Sequence, residues 1–204
     1  MKIFTHSYST LSLPPRFFHQ GTWDQFHYLH FNRTADVTVT CLVNDFTGSD
    51  EAWRKGGIMF RNNIGEGRSA HSMIQVTGWG VSHQSRLNDN SYTVSVHDNY
   101  PVSNIWLRLV KEGSTITSFI KRDGEFDFMQ YHSVEVEFVD SFSVGIAVVS
   151  QLSRILVLVV FSRNKISFSA IALEQTSHDN NVLATLDVSH LEISDVVYSS
   201  CQSY

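Results

Sequence analysis

Glu135 and Glu137 flank Val136 in VEVEFVD, a spacing that puts both carboxylates on one side of an extended strand. Two carboxyls so placed are what glycoside hydrolysis uses, one as acid and the other as nucleophile or base. A second set of residues suits binding rather than turnover. In GGIMFRNN, Gly57, Met59 and Arg61 share a side, and in AHSMIQVT, His71, Met73 and Gln75 lie opposite Ile74 and Val76. In VSHQSRL, Ser82, Gln84 and Arg86 share a side. If these strands are neighbours, Arg61, Gln75, Gln84 and Arg86 form one polar sheet face flanked by Trp79 of the TGWG turn. Such a face offers a sugar hydrogen bonds and a flat ring to stack on. The plainer alternative is an ordinary solvated face, and Arg61 and Arg86 are the strongest candidates within it.

Metal chemistry has less to stand on. His178, Asp179, Asn180 and Asn181 form a polar loop whose oxygens suit calcium, although the same residues are common turn formers. Calcium through Asp179, Asn180 and Asn181 is the one cofactor reading; otherwise none is expected. His27 and His30 are three apart on an expected strand, so they point to opposite faces and cannot share one zinc ion. The sequence holds no GxSxG elbow, phosphate-binding glycine loop or HExxH helix. Cys41 and Cys201 are too far apart for a metal motif and read as plain thiols.

The elements that must position these residues are strands. Period-two alternation predicts strands over 25–31, 36–43, 57–62, 71–76, 81–87, 105–111, 115–121, 133–138, 143–149 and 182–193, filled with β-branched and aromatic residues. DFTGSD, NIGEG, LNDNS, EGS and RDG separate them as turns, with Asp123-Gly124 suited to a tight hairpin. Many short strands with one wet face, and no long amphipathic helix, predict an all-β, antiparallel two-sheet sandwich. At 204 residues one domain is the simplest count. Trp53 and Trp106, beside strongly apolar strands, read as core or sheet-edge packing; Trp23 opens a strand.

Charge and hydropathy exclude some partners. With 15 scattered Lys and Arg residues and a formal net charge of -5 there is no basic field for nucleic acid. The longest apolar run, 155–161, is too short to span a bilayer as a helix, so membrane insertion is not expected. The first residues, MKIFTHSYSTLSLPPRFF, make a poor secretory signal, and the compartment is not legible. Asn32-Arg33-Thr34 is a glycosylation sequon that matters only in the secretory path.

Five blocks occur in a recognisable order: WDQFHYLHF (23–31), EAWRKGGIMFRNNIGEGRSAHSMIQVTGWGVSHQSR (51–86), IWLRLVKEGSTITSFIKRDGEF (105–126), SVGIAV (143–148) and TSHDNNVLATLDVSHLEI (176–193). In combination they resemble concanavalin A-like β-sandwich modules of the regulation-of-enolase type, found alone or attached to secreted bacterial glycosidases and surface proteins. The resemblance covers about residues 20–195 and implies a two-sheet jelly roll, presumed to bind carbohydrate, with no shared catalytic activity. It also implies a strand before the WDQF region, where this chain has an irregular lead-in over 1–19; residues 196–204 form a tail. The Glu135/Glu137 pair is similar to the acidic strand of the related glucanases, but Val136 replaces that motif's aspartate.

One segment departs from the family pattern. There the strand resembling GIAV runs directly into a TSH-type segment, whereas here residues 149–175 intervene. Without them the chain reads GIAVTSHDNNVLATLDV. Val149-Ser150 can be encoded by the start of a eukaryotic intron and Gln175 by its usual end, so a translated in-frame intron is one hypothesis. The other is a genuine hairpin, RILVLVVF and KISFSAIAL about SRNK, whose continuous apolar run needs cover or becomes an aggregation hazard. The expected function is a non-catalytic, lectin-like glycan-binding module. A glycan-cleaving enzyme using Glu135 and Glu137 and a sandwich that binds a protein partner are the alternatives.

Overall fold

The computed structural model describes residues 9–10, 26–48, 55–62, 68–149, 155–162, 165–172 and 182–195. Among them there are strands and turns and no helix. The strands are β1 (Ser9–Thr10), β2 (His27–Arg33), β3 (Val37–Gly48), β4 (Lys55–Arg61), β5 (His71–Thr77), β6 (Gly80–Arg86) and β7 (Val94–Asp98), followed by β8 (Ile105–Glu112), β9 (Thr115–Arg122) and β10 (Met129–Glu135). The last four are β11 (Phe142–Val149), β12 (Ile155–Ser162), β13 (Lys165–Ala172) and β14 (Val182–Asp195). One sheet runs β1-β2-β11-β4-β5-β6-β7 and the other β10-β9-β8-β3-β14-β13-β12, with every pairing antiparallel. The described residues form an antiparallel two-sheet β-sandwich.

Alternation explains the core. Val37, Val39, Cys41 and Val43 of β3, with Ile105, Leu107 and Leu109 of β8, point inward from the second sheet. They meet Ile58 and Phe60 of β4, Ile74 and Val76 of β5, and Val144, Ile146 and Val148 of β11. Gly56 also faces inward, where an added Cβ would lie 2.9 Å from Leu186 Cδ2 of β14.

At its centre, across β4, β5 and β6, the first sheet is dry on its other face too. Every residue of β5 is buried, and Tyr28, Met59, Met73 and Ala147 form a second small apolar cluster against which Phe26 packs. A strand buried on both faces has no wet side, so in β5 alternation sorts faces without separating inside from outside.

Several expected elements differ in detail. The strand expected over 133–138 runs instead from Met129 to Glu135, because it pairs with β9 from Met129↔Ile120 to Glu135↔Thr115 and then leaves the ladder. The Asp123-Gly124 hairpin is wider than a tight turn, spanning 123–128. The tight one is at Gly113-Ser114, where Glu112 faces Thr115 and Gly113 sits at φ +59°. β7 and the short β1, which pairs with β2 at Ser9↔Tyr28, are additions to the sequence reading. Within the segment 149–175, β12 and β13 form a hairpin whose inner strand extends the second sheet beside β14.

Candidate functional site

Register places the predicted binding residues on one face. Gly57 of β4 lies opposite Gln75, which lies opposite Ser82; Met59 aligns with Met73 and Gln84; Arg61 aligns with His71 and Arg86. Extending the last row through β11 and β2 adds Ser143 and Asn32, joined by a 3.1 Å bond from Ser143 Oγ to Asn32 Oδ1. Arg61, Gln75, Gln84 and Arg86 therefore share the outer face of the first sheet, on the adjacent strands β4, β5 and β6.

That face is not the open, solvated surface expected. Arg61, Gln75 and Arg86 are fully buried, and Gln84 is half-buried. Each has taken protein partners in place of water. Arg61 lies 5.1 Å from the Phe26 ring centroid, with Nη1 3.5 Å from His71 Nδ1. Gln75 Nε2 donates to Ser82 Oγ at 2.8 Å, and Gln84 Oε1 accepts from Lys55 Nζ at 3.2 Å. Arg86 is the most committed: Nε donates to Ser91 O at 3.0 Å, Nη1 to Ser69 O at 3.2 Å and Nη2 to Thr93 Oγ1 at 2.9 Å. It clamps the 87–93 connection rather than offering its fork to a ligand.

Tyr28 shows how the sheet accommodates this packing. Its hydroxyl donates to Met59 O at 2.7 Å, from β2 to β4 across β11. Gly145 and Ala147 of β11 present almost no side chain to that face, which leaves room for the ring. Burial pushes the Tyr28 hydroxyl well above its ordinary pKa, with Arg61 pulling the other way. The Tyr28 ring stacks on His30 at 5.0 Å, and burial lowers the His30 pKa.

Trp79 is the exception to this burial. It sits at the tip of the β5–β6 turn with 63% of its surface exposed. Its backbone N–H donates to Thr77 Oγ1 at 3.0 Å, and the same hydroxyl donates to Gly80 O at 3.1 Å. Gly80, at φ +136°, lets the turn lie against Asp98–Tyr100, where a Cβ would meet Asp98 O at 2.2 Å. The indole is thus exposed on a turn whose backbone is pinned by Thr77 and packed at Gly80 against the 98–100 backbone.

The glutamates are arranged differently. Glu135 ends β10, its Oε2 accepting from Ser114 Oγ at 2.5 Å and its Oε1 from Thr115 Oγ1 at 2.7 Å. These hydroxyls, Ser114 foremost, hold the carboxyl below its ordinary pKa, opposite to the elevation a general acid requires. Glu137 lies beyond the strand, exposed, after the buried Val136. The pair does not share a strand face, because the strand stops at its first member. Asp179, Asn180 and Asn181, with Trp23 and Trp53, lie outside the described residues.

Two constellations escaped the sequence reading. One is internal: Ser72, His83 and Ser118 are buried between the sheets, with Ser72 Oγ 3.1 Å from His83 Nε2 and His83 Nδ1 2.8 Å from Ser118 Oγ. Ser118 Oγ donates to His132 O, so its oxygen accepts from Nδ1–H and Nε2 is left to accept from Ser72. The neutral imidazole is thereby fully satisfied. Burial first, and then the nearby His132 and His71, push its pKa down to about 3. The available signal was period two, which groups His83 with Val81 on the core side of VSHQSRL.

The other lies on the outer face of the second sheet. Trp106 and Arg108 alternate with the inward Ile105, Leu107 and Leu109, opposite Lys121 and Phe119 of β9. Trp106 is therefore not a core residue but half-buried on the outside, its Nε1 donating to Asp123 Oδ1 at 2.9 Å. Alternation in IWLRLVK and TITSFIK already separates these residues from the core.

No protein-family model matches the chain. No curated protein matches it significantly. Among solved structures, a functionally unknown protein from Saccharomyces cerevisiae is similar at TM-score 0.55 and 15% identity, over 94% of this chain and 97% of that one. That likeness shows a shared fold. Alginate lyase AlgAT5 from polysaccharide lyase family 7 aligns at TM-score 0.45 and 9% identity, over 82% of this chain and 63% of its own.

Proposed function

We propose that this protein is a non-catalytic, lectin-like module of the regulation-of-enolase type, and that it contacts glycan at the rim of the sandwich around Trp79. The observation that carries the reading is the exposed indole on a turn fixed by Thr77 and Gly80. Holding a large aromatic ring in water forgoes its burial energy, and a flat apolar face with polar neighbours suits the C–H face of a sugar. The exposed Asp98 and Asn99, whose backbone runs against Gly80, would supply an acceptor and an amide for its hydroxyls. Gln75 lies on β5 two residues before Thr77, whereas Arg61 and Arg86 are packed at the other end of β4 and β6, where they hold the sheet and not this rim.

A glycan-array screen of the purified chain tests the reading, with Trp79→Ala and Arg61→Lys as variants. The expected result is binding that Trp79→Ala removes without lowering the unfolding temperature. A cooperatively folded chain that binds no glycan would overturn it and favour a protein-interaction role.

A further inference from the structure

Arg108 and Lys121, on adjacent strands of the second sheet, are held against aromatic rings instead of carboxylates. The Arg108 guanidinium carbon lies 3.7 Å from the Phe128 ring centroid, and Lys121 Nζ lies 5.0 Å from the same ring and 5.3 Å from Trp106. Arg108 Nε donates to Thr40 Oγ1 at 3.0 Å, and neither of its Nη groups has a hydrogen-bond partner among the described residues. Lys121 Nζ likewise has no hydrogen bond or ion pair among them.

In a protein of net charge -5 carboxylates are abundant, yet two that follow Lys121 closely in the chain are engaged elsewhere. Asp123 accepts the Trp106 indole N–H, and Glu125 Oε2 accepts from the Arg122 backbone at 3.0 Å. Glu192 acts on Arg108 without reaching ion-pair distance, while burial draws the Arg108 pKa down. The result is a partly desolvated cation pair with donors to spare, resting on two rings.

The backbone at the same spot is irregular. The β14 register shifts between Ser189 and Glu192, and His190 sits at φ +53° with its ring 5.6 Å from that of Trp106. A non-glycine residue with positive φ inside a bulge carries strain, and such strain concentrates where side chains are re-aimed for binding. Here the bulge carries an exposed imidazole to the edge of the cation–aromatic cluster.

We infer that the outer face of the second sheet, at Trp106, Arg108, Lys121 and Phe128, is a second binding site, for an acidic polysaccharide. Carboxylate or sulfate groups on the sugar ring pair with Arg108 and Lys121, and the ring's C–H face lies on Trp106 or Phe128. An extended polymer suits the site because the sheet face continues along β8 and β9 and gives a chain of sugars successive contacts. The inference goes beyond the Trp79 rim and stands or falls independently of it, since the two sites are on different sheets and differ in charge.

The test is binding of the full chain to polygalacturonate and to dextran sulfate, with neutral dextran as control, at low and high salt. Arg108→Gln, Lys121→Gln and Trp79→Ala are compared after thermal unfolding shows that each folds. The expected result is binding to one or both acidic polymers, weakened by salt, reduced about tenfold by Arg108→Gln or Lys121→Gln and unchanged by Trp79→Ala. Which polymer binds distinguishes carboxylate from sulfate recognition. Equal binding to neutral dextran, undiminished binding by both folded cation variants, or no binding to either acidic polymer would overturn the site. So would tighter binding of single-stranded DNA that the same two variants abolish.

Discussion

His83 Nδ1 meets Ser118 Oγ at 2.8 Å across the interior, joining β6 of one sheet to β9 of the other. With Ser72 on its second nitrogen, the ring is satisfied only while neutral. Protonation would put a second N–H against a hydroxyl already donating to it, in a site without a carboxylate partner.

Stability should therefore depend on acidity in a definite direction. Folding lowers the His83 pKa from 6.5 to about 3, so between those values the unfolded chain binds the extra proton. The contribution of His83 is fully present above about pH 6.5 and is lost as the pH falls toward 3, on the order of a few kcal/mol in all. Urea unfolding from pH 7.5 to 4 should show falling midpoints, and His83→Gln should flatten that slope while lowering stability at pH 7.5. A wild-type midpoint that does not move over this range would rule the mechanism out.

Arg86 gives a second expectation, of stability rather than affinity. Its bond to Ser69 is buried and those to Ser91 and Thr93 are part-buried, all three directional, so Arg86→Ala should cost about 2–4 kcal/mol. Lysine should not restore it, because a single ammonium cannot reproduce the fork. Hydrogen exchange should speed up at the 87–93 amides in both variants; unchanged exchange and unchanged unfolding would show that the clamp is dispensable.

Gly145 has almost no tolerance for a side chain. An added Cβ would lie 2.0 Å from Leu29 O and 2.9 Å from His30 Cα, both on the paired strand β2. Gly145→Ala should force β2 and β11 apart and destabilise the fold by about 2–4 kcal/mol. Gly113→Ala is the comparison, with open space around it but φ +59°, and should cost about 1–2 kcal/mol from backbone strain alone. Denaturant midpoints ranking these two in the reverse order would contradict the packing account.

The segment 149–175 makes a prediction about the message as well as the protein. If it is a retained intron, amplification across the Val148–Thr176 junction should return mostly the shorter product. The shortened chain should still unfold cooperatively, because β14 keeps its pairing with β3 from Ala184↔Gly48 to Asp195↔Val37. Loss of cooperative unfolding on deletion would make the β12–β13 hairpin an integral part of the sheet.

The strands and their facings were legible because period two is a local property: Ile58 and Phe60 against Met59 and Arg61 can be sorted from four residues. The dryness of that outer face was not legible. Nothing in GGIMFRNN reveals that Phe26 lies against Arg61, and nothing in VSHQSRL reveals that Ser69 and Thr93 claim the Arg86 fork. Residues close in space but distant in sequence decide whether a polar face is a binding surface or a second interior. β7 went unnoticed for a related reason: Val94–Asp98 has no buried residue, so it carries little of the burial signal that marks a strand. Trp106 was misjudged because apolar neighbours in sequence, Ile105 and Leu107, point the opposite way from it.

Cys41 sits in the middle of β3 with no exposed surface, and burial pushes its thiol up to about 12. Only the thiolate reacts readily with alkylating reagents, so the folded protein protects this sulfur both sterically and chemically. Labelling at Cys41, followed by peptide mass, is therefore a built-in clock. Its rate reports how often the sandwich opens along its central strand, and it can be timed in a cell extract as readily as in a cuvette.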